Sequence, residues 1–376
     1  MERSNLGFTR NAISCLLLSA AIGTWQANAS PAMLPQMGAD TQGTSVSGLS
    51  SGAFMAVQYH VAFSAETIGA GVVAGGPWNC VNGDSSLLPT LTKALQNCMY
   101  LSNGGKVPPT HAFLDLSKRA EKKGEIDPTS NLSKDRVYVF TGIDDKTVKP
   151  PVVVGTKELY LAFGVDEQSM QFVQDLPAGH AFITDLPDSE VNDQCEITQS
   201  PYINYCEQDD YYQAQALLDH IYQQTNPPSK SPQGELIAFN QFEFVKDSDL
   251  ARDKSSFSET GYVYVPPSCQ QSAENCSIHV VFHGCKQGVE YSDLRNGTFG
   301  MKYIEHTGYR RMADTNQLIM LYPQVKARAG SNPNGCWDWW GYTGNHKSFY
   351  RKDAVQLQAV NQMVKRLQES VELASQ

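Results

Sequence analysis

Short runs of β-branched and aromatic residues, bounded by turn-forming residues, recur along the chain and predict strands. Seven runs have this pattern: 44–46, 68–73, 137–140, 236–244, 262–265, 278–282 and 318–322. Between them lie stretches with apolar residues at helical spacing, at 52–63, 158–163, 209–223, 300–316 and 352–369. Because strands and helices alternate, the pattern predicts an α/β fold with a mostly parallel sheet.

Residues 227–233, rich in Pro, Ser and Lys, form the clearest predicted surface loop. No internal repeat, low-complexity tract or Ser/Thr/Pro-rich linker divides the chain. We therefore interpret 227–233 as a loop within one catalytic domain spanning residues 30–376, and we expect no appended polymer-binding module.

The first 29 residues have the pattern of a secretory signal peptide. Arg3 and Arg10 precede an apolar run at 12–22, and Ala27-Asn28-Ala29 is a small-x-small cleavage pattern. This segment predicts export to the extracellular space or the periplasm. No later stretch approaches the ~18 consecutive apolar residues of a membrane span, so we expect no membrane partner.

Composition narrows the classes of partner. The 376 residues are 41% apolar and 18% charged, with a formal net charge of −10 and no block of basic residues. The composition is that of a globular protein. Because few cations are available to neutralise phosphates, we expect neither nucleic acid nor an anionic membrane surface as a partner. We expect the chain to be a monomer.

Eight cysteines remain after Cys15 is assigned to the signal peptide, and an even number in an exported chain indicates disulfides. Proximity in sequence suggests the pairs 80–98, 195–206, 269–276 and 285–336, although eight cysteines allow 105 connectivities. No C-x2-C or H-E-x-x-H pattern is present, so we expect no metal and no cofactor.

A G-x-S-x-G motif occupies Gly48 to Gly52, directly after a predicted strand and before a predicted helix. This context is typical of a nucleophile elbow, in which glycines allow a sharp turn that exposes the central serine. We interpret Ser50 as a nucleophile. The N–H of Ser51, at the start of the helix, would then face a developing oxyanion. The alternative is a Ser/Gly turn that only caps a helix.

A serine nucleophile needs a base that is oriented by a carboxylate, and in this class of fold the order along the chain is Ser, Asp, His. An acidic turn with Asp144 and Asp145 follows the predicted strand 137–140. We assign Asp145 as the acid, with Asp144 as the alternative and simple turn capping as a third interpretation. His180, in a loop of small residues, is the best candidate for the base.

The apolar run at 278–282 ends in His283-Gly284-Cys285. A loop of this kind after a central strand normally supplies the second oxyanion N–H, here that of Cys285. His283 would pack or form hydrogen bonds within the loop without transferring protons. In most hydrolases of this fold such a strand precedes the serine, whereas here it follows His180. We therefore predict a circularly permuted α/β-hydrolase fold.

Together these motifs resemble those of the extracellular poly(3-hydroxybutyrate) depolymerases, in particular the single-domain, circularly permuted type. The resemblance covers residues 46–342 and rests on five segments in the same order: SGLSSGAFMA, GIDDKTV, AGH, FHGCKQ and NGCWDWWGY. It implies a serine esterase acting on a polyester, with Ser50, Asp145 and His180 as the triad and Ser51 and Cys285 as the oxyanion donors.

The segment Cys336 to Tyr342 contains three tryptophans within four residues, Trp337, Trp339 and Trp340. An apolar groove for a polyester chain could be lined by such residues, so we list them as substrate-binding candidates. Large aromatic residues are usually buried, and we expect only one of the three to contact substrate.

Two other functions remain open at this point. One is an esterase for small acyl, acetyl or feruloyl esters, because related enzymes share the His-Gly-Cys strand. The other is a secreted polymer-binding protein that keeps the hydrolase fold without catalysis. The order of the motifs favours the polyester over the small esters, and the complete candidate triad argues against the binding protein.

Overall fold

The computed structural model describes residues 31–187, 191, 193–207, 211–245, 248–344 and 346–370. The predicted signal peptide, residues 1–29, and Cys15 lie outside the described residues. Assignment of 1–29 as a signal peptide and of 30–376 as the catalytic domain stays a prediction. None of the described helices has the length and apolar character needed to cross a membrane.

The described residues form thirteen strands and ten helices. The strands are β1 (Ser45–Leu49), β2 (Gly69–Val73), β3 (Arg136–Phe140), β4 (Met170–Val173), β5 (Phe182–Thr184), β6 (Asp193–Gln194), β7 (Ile203–Tyr205), β8 (Glu235–Asn240), β9 (Thr260–Val265), β10 (Ser277–Phe282), β11 (Ser292–Asp293), β12 (Gly297–Thr298) and β13 (Leu318–Tyr322). The helices are α1 (Ser51–Ala62), α2 (Cys80–Gly83), α3 (Thr90–Asn97), α4 (Thr110–Lys122), α5 (Pro150–Ala162), α6 (Gln213–Tyr222), α7 (Asp249–Ser255), α8 (Lys302–His306), α9 (Tyr309–Asn316) and α10 (Val355–Gln368).

Eight strands form one sheet in the order β4-β3-β2-β1-β10-β13-β9-β8. Neighbouring strands from β4 to β13 are parallel, whereas β9 runs antiparallel to both β13 and β8. The α/β class and the mostly parallel sheet are therefore confirmed. Strands β1 and β10 are neighbours although more than 200 residues separate them in the sequence. The circular permutation itself stays a prediction.

Side chains that alternate along the strands enter two cores, one on each face of the sheet. On β3, Val137 and Val139 pack into the core that includes α1, α5 and α10, whereas Tyr138 and Phe140 pack into the core that includes α6, α8 and α9. The sheet is buried on both faces, which explains why its central strands read as continuous apolar runs.

All seven predicted strands belong to this sheet, and the differences from the predicted boundaries have local causes. The predicted strand 236–244 ends at Asn240, whose side chain accepts a hydrogen bond from the Phe242 N–H and begins a 3₁₀ turn. The predicted helix 300–316 is two helices, α8 and α9, separated at Gly308, which has a φ of 85°. Left-handed backbone interrupts a right-handed helix. The segment 227–233 is a loop between α6 and β8, as predicted.

The elements that the pattern did not predict include β4, α3 and α4. In α4 the buried positions are Phe113, Ser117 and Ala120, so the apolar stripe consists of one large residue and two small ones. Helix α5 begins eight residues before its predicted start, with Pro150 and Pro151 in its first turn. Proline is compatible with the first helical position because the N–H it lacks would have no partner there.

The four disulfides pair as proximity in sequence suggested: Cys80–Cys98, Cys195–Cys206, Cys269–Cys276 and Cys285–Cys336. Three of them close loops of 18 residues or fewer, and the fourth joins positions 51 residues apart. That fourth bridge connects the loop after β10 to the loop that carries the tryptophans.

Candidate active site

Ser50 occupies the tight turn between β1 and α1, with φ of 57° and ψ of −121°. A non-glycine residue rarely adopts this conformation, which is typical of residues held in place at functional sites. A Cβ at Gly48 would lie 2.4 Å from the carbonyl carbon of Gly52, and a Cβ at Gly52 would lie 2.2 Å from the Phe282 oxygen. The two glycines of the motif are therefore required by close backbone packing on both sides of Ser50.

Asp145 lies in the loop after β3, and His180 lies in the loop after β4. These two strands are adjacent and parallel. Backbone hydrogen bonds join the loops: the Ile143 N–H donates to the Leu176 oxygen and the Asp144 N–H to the Ala178 oxygen. The result is that His180 Nδ1 lies 2.7 Å from Asp145 Oδ2. His180 and Asp145 are both buried.

The carboxylate of Asp145 is fixed on its other side. Its Oδ1 accepts hydrogen bonds from the Thr147 N–H at 2.8 Å and the Val148 N–H at 3.0 Å. Asp144, the alternative acid, is partly exposed, and its backbone N–H donates a hydrogen bond to the Ala178 oxygen. Of the two aspartates, the geometry places Asp145 on the histidine and leaves His180 Nε2 as the ring nitrogen for a serine. The predicted roles of these residues are taken up under the proposed function.

The two predicted oxyanion donors lie on adjacent elements. Ser51 is the first residue of α1, and Cys285 follows β10, which pairs with β1 in register Gly48↔Phe282. A Cβ built on Gly284 would lie 3.5 Å from Ser50 Cβ, so the Cys285 loop passes close to the serine. Ser50, Ser51 and Cys285 line the same cavity as His180.

His283 has no role in proton transfer in this arrangement. Its Nδ1 lies 2.7 Å from the Gly284 oxygen, and its Nε2 accepts from the Val325 N–H at 3.2 Å. Burial lowers the pKa of His283 to about 4, and the bond to Gly284 offsets only part of this effect. The ring is therefore neutral at pH 7, with both nitrogens engaged by the backbone.

The cavity has a volume of about 450 Å³ and opens beside Ser50. None of the described residues that line it is an aspartate or a glutamate. Its apolar wall is built mainly from α3 and the tryptophan loop: Leu91, Leu95, Met99, Trp339 and Trp340. A cavity with an apolar wall and without carboxylates suits an uncharged ester better than a sugar or a basic peptide.

The three tryptophans occupy different environments. Trp337 is fully buried and packs edge-on against Phe282 and Phe257. It is not among the described residues that line the cavity, and large aromatic rings are favoured in the core. A substrate-binding role for Trp337 stays a prediction. Trp339 stacks on Phe54 with ring centroids 4.1 Å apart. Trp339 and Trp340 are cavity-lining residues.

Asp338 holds the tryptophan loop in shape. Its carboxylate accepts hydrogen bonds from the backbone N–H groups of residues 340, 341, 342 and 343 and from the Thr343 hydroxyl. Burial raises the pKa of Asp338 above its ordinary value, and the hydrogen bonds offset only part of this rise. The buried carboxyl group is thus fully hydrogen-bonded and fixes the backbone of the loop that carries Trp339 and Trp340.

Several cavity residues were not identified from the sequence, including Leu91, Leu95, Met99, Tyr202 and Lys286. The only sequence signal for the first two is their i, i+4 spacing next to Cys98. The described residues contain no group of three or more His, Cys, Asp or Glu side chains placed to bind a metal ion.

The fold and this site together define a serine hydrolase of the α/β class. No protein-family model matches the chain. A poly(3-hydroxybutyrate) depolymerase of Delftia acidovorans is 38% identical over 338 residues, which is 89% of this chain and 61% of that protein. A polyhydroxybutyrate depolymerase of Talaromyces funiculosus is 33% identical over 346 residues, 89% of this chain and 92% of that protein.

Two solved structures are also similar. One is a serine-to-alanine variant of a PHB depolymerase in complex with an R3HB trimer, with a TM-score of 0.76. The other is the PHB depolymerase of Penicillium funiculosum, with a TM-score of 0.75. Both are 32% identical to this chain, and the match covers 90% of this chain and 100% of each of them. The chain belongs to the poly(3-hydroxybutyrate) depolymerase family.

Proposed function

We propose that this protein hydrolyses the ester bonds of poly(3-hydroxybutyrate), releasing oligomers and 3-hydroxybutyrate. The observation that carries the proposal is that Ser50 and His180 line one cavity with an apolar wall, whose described lining residues include no aspartate or glutamate, while Asp145 bonds His180 Nδ1 from behind. Relatives named as depolymerases of this polymer, and the R3HB trimer in one similar structure, support the choice of ester.

The reaction proceeds through an acyl-enzyme. Ser50 Oγ attacks the ester carbonyl while His180 Nε2 accepts the serine proton, which it then gives to the leaving alcohol. Asp145, bonded to Nδ1, holds the ring in the required tautomer and stabilises the imidazolium. Water then attacks the acyl-serine with His180 as the base, which releases the acid and regenerates the serine.

Two backbone N–H groups, those of Ser51 and Cys285, stabilise the oxyanion that forms in each step. The start of α1 supports the first donor, because unpaired N–H groups and the helix dipole favour negative charge there. The disulfide to Cys336 supports the second by fastening its loop. Loss of one such donor typically costs on the order of 10²- to 10³-fold in turnover.

The apolar wall gives the polyester its binding surface. Trp339, Trp340, Leu91, Leu95 and Met99 offer contact area for the methyl and methylene groups of an acyl chain. Binding energy from these remote contacts orients the scissile ester at Ser50.

We also propose that the protein acts as a secreted monomer after removal of residues 1–29. Four disulfides support this location, because such bonds persist in oxidising compartments.

The test compares the mature protein with its Ser50→Ala variant on a poly(3-hydroxybutyrate) suspension, followed by turbidity, and on p-nitrophenyl butyrate. We expect clearing and small-ester cleavage by the wild type, and turnover near background for Ser50→Ala with an unchanged far-UV circular dichroism spectrum. Labelling of the wild type, but not the variant, by a fluorophosphonate probe would identify Ser50 as the reactive serine.

Other outcomes favour other functions. Cleavage of p-nitrophenyl butyrate without clearing of amorphous or crystalline polymer would indicate an esterase for small acyl, acetyl or feruloyl esters. Binding of the polymer with no hydrolysis of either substrate would indicate a polymer-binding protein on a hydrolase fold. Wild-type turnover by Ser50→Ala would contradict the mechanism.

A further inference from the structure

Gln287, two residues after Cys285, uses its whole amide group to bond the backbone. Its Oε1 accepts from the Gly284 N–H at 2.8 Å, and its Nε2 donates to the Pro201 oxygen at 2.9 Å and the Tyr202 oxygen at 3.3 Å. The side chain is 1% exposed and lines the cavity. A buried amide with this many partners tightly restrains the segments that it joins.

One of these segments is the oxyanion loop, residues 284–287. Gly284 is held at both of its backbone polar atoms, since its oxygen accepts from the Gln287 N–H at 3.3 Å and lies 2.7 Å from His283 Nδ1. That oxygen belongs to the same peptide unit as the Cys285 N–H. Fixing Gly284 therefore fixes the direction of the proposed oxyanion donor. A Cβ at Gly284 would lie 2.7 Å from Gln287 Oε1, so glycine permits the close approach.

The other segment belongs to the part of the chain that carries the histidine. The Tyr202 oxygen also accepts from the Phe182 N–H at 3.0 Å, two residues after His180. Thr198 Oγ1 accepts from the His180 N–H at 2.9 Å. Segment 198–202 is thus bonded to the histidine loop on one side and to Gln287 on the other.

We propose that Gln287 is a positioning residue that holds the oxyanion loop in register with the histidine loop. Its amide is already bonded to the backbone, so it acts on the reaction through the Cys285 N–H and through segment 198–202. The inference rests on the proposed function, because it assumes ester hydrolysis at Ser50. Pre-orienting such donors matters because a donor that reorients during the reaction stabilises the transition state less.

The first test uses Gln287→Met with Gln241→Met as its matched control. Gln241 is also buried, and its amide bonds only backbone atoms, those of Ser258, Thr260 and Gln324, but it does not line the cavity. Each variant leaves buried backbone groups without partners, so we expect similar losses of stability in urea unfolding. On p-nitrophenyl butyrate we expect Gln287→Met to lower kcat about tenfold to hundredfold with KM changed by less than about twofold. Gln241→Met should keep kcat within about twofold of the wild type.

Gln287→Glu adds a readout that a merely structural role would not produce. An ionised carboxylate still accepts from the Gly284 N–H but faces the Pro201 and Tyr202 oxygens without a proton to donate. A protonated carboxyl donates to one of them. We therefore expect the ratio of variant to wild-type kcat to rise several-fold as the pH falls from about 8 to about 5. Taking the ratio at each pH removes the titration of the groups common to both proteins.

The outcomes separate the inference from the proposed function. A wild type that turns over p-nitrophenyl butyrate while Gln287→Met keeps its kcat overturns the inference alone. Equal losses of kcat in Gln287→Met and Gln241→Met, or a flat ratio for Gln287→Glu, also overturn it, because they indicate general loosening of the fold. A wild type inactive on both the polymer and the small ester overturns the proposed function and the inference together.

Discussion

The conformation of Ser50 depends on two neighbouring glycines, Gly48 and Gly52, which have no side chain. The turn that exposes the hydroxyl brings backbone atoms of β1, α1 and β10 within distances that no Cβ allows, so Gly48 and Gly52 are needed for packing before any catalysis is considered. The choice between Asp144 and Asp145 is similarly local. The turn after β3 points one carboxylate inward to His180 and leaves its neighbour partly exposed.

The first prediction follows from that difference. In Asp145→Asn an amide replaces the carboxylate, which favours the wrong histidine tautomer and no longer compensates the imidazolium charge, so kcat on p-nitrophenyl butyrate should fall by about 10⁴-fold. Asp144→Asn, one residue away and outside the pair, is the matched control and should stay within about twofold of the wild type. Equal losses in the two variants would show that the acidic turn matters only for folding.

At the scale of elements, helix α3 shows how a secondary structure missed in the sequence shapes the site. Leu91 and Leu95 lie one turn apart and face the cavity, and both remain partly exposed, at 54% and 37%. The helix has only 8 residues and two buried positions, Ala94 and Asn97, so it is shorter than the roughly 11 to 18 residues over which helical spacing is recognised. The disulfide between Cys80 and Cys98 closes the loop that contains α3 and holds the end of the helix next to α2.

The second prediction tests this wall with the double variant Leu91→Ser/Leu95→Ser. Removing two apolar contacts should raise KM for p-nitrophenyl esters of longer acyl chains several-fold, while KM for p-nitrophenyl acetate changes little. Stability should change by no more than about 0.5 kcal/mol for each site because both side chains are exposed. The control is Leu87→Ser/Leu88→Ser, which alters two exposed leucines that do not line the cavity. The same rise in KM in the control would contradict a specific role for α3.

At the scale of the whole molecule, the central strands carry a buried polar cluster that links stability to pH. His279 on β10 lies between two serines of β1, with Nδ1 2.6 Å from Ser45 Oγ and Nε2 2.7 Å from Ser47 Oγ, and it stacks on Tyr309. Burial lowers the pKa of His279 to about 3. The ring is thus neutral in the folded protein over the usual range of pH.

The third prediction concerns acid stability. The pKa of His279 is lower in the folded state than the ~6.5 of an unfolded chain, so below about pH 6.5 the unfolded state binds the additional proton. Stability is therefore lost as the pH falls from about 6.5 toward 3, by about 2 kcal/mol for this histidine at about pH 5. His279→Gln, whose amide can still bond both serines, should remove this contribution from the difference in urea unfolding free energy between pH 7 and pH 5. An unchanged difference would mean that His279 does not titrate on unfolding.

Much of the site could be predicted because its signals are local. The G-x-S-x-G motif between a strand and a helix, the acidic turn after β3 and the His-Gly-Cys loop after β10 each combine a residue type with an adjacent element. The disulfide pairs could be suggested because three of the four close short loops. Boundaries were less predictable where a single residue ends an element, as Asn240 and Gly308 do.

The sequence by itself determined the alternation of strands and helices, the glycines that the serine turn requires, and the residue types available for catalysis. Only the tertiary structure decided which aspartate meets His180, which tryptophans reach the cavity and which leucines form its wall. It alone reveals that Gln287 bonds a segment more than eighty residues away. The physical reason is that hydrogen bonding and burial depend on distances between groups remote in the chain, and these distances exist only once the sheet has brought β1, β3, β4 and β10 side by side.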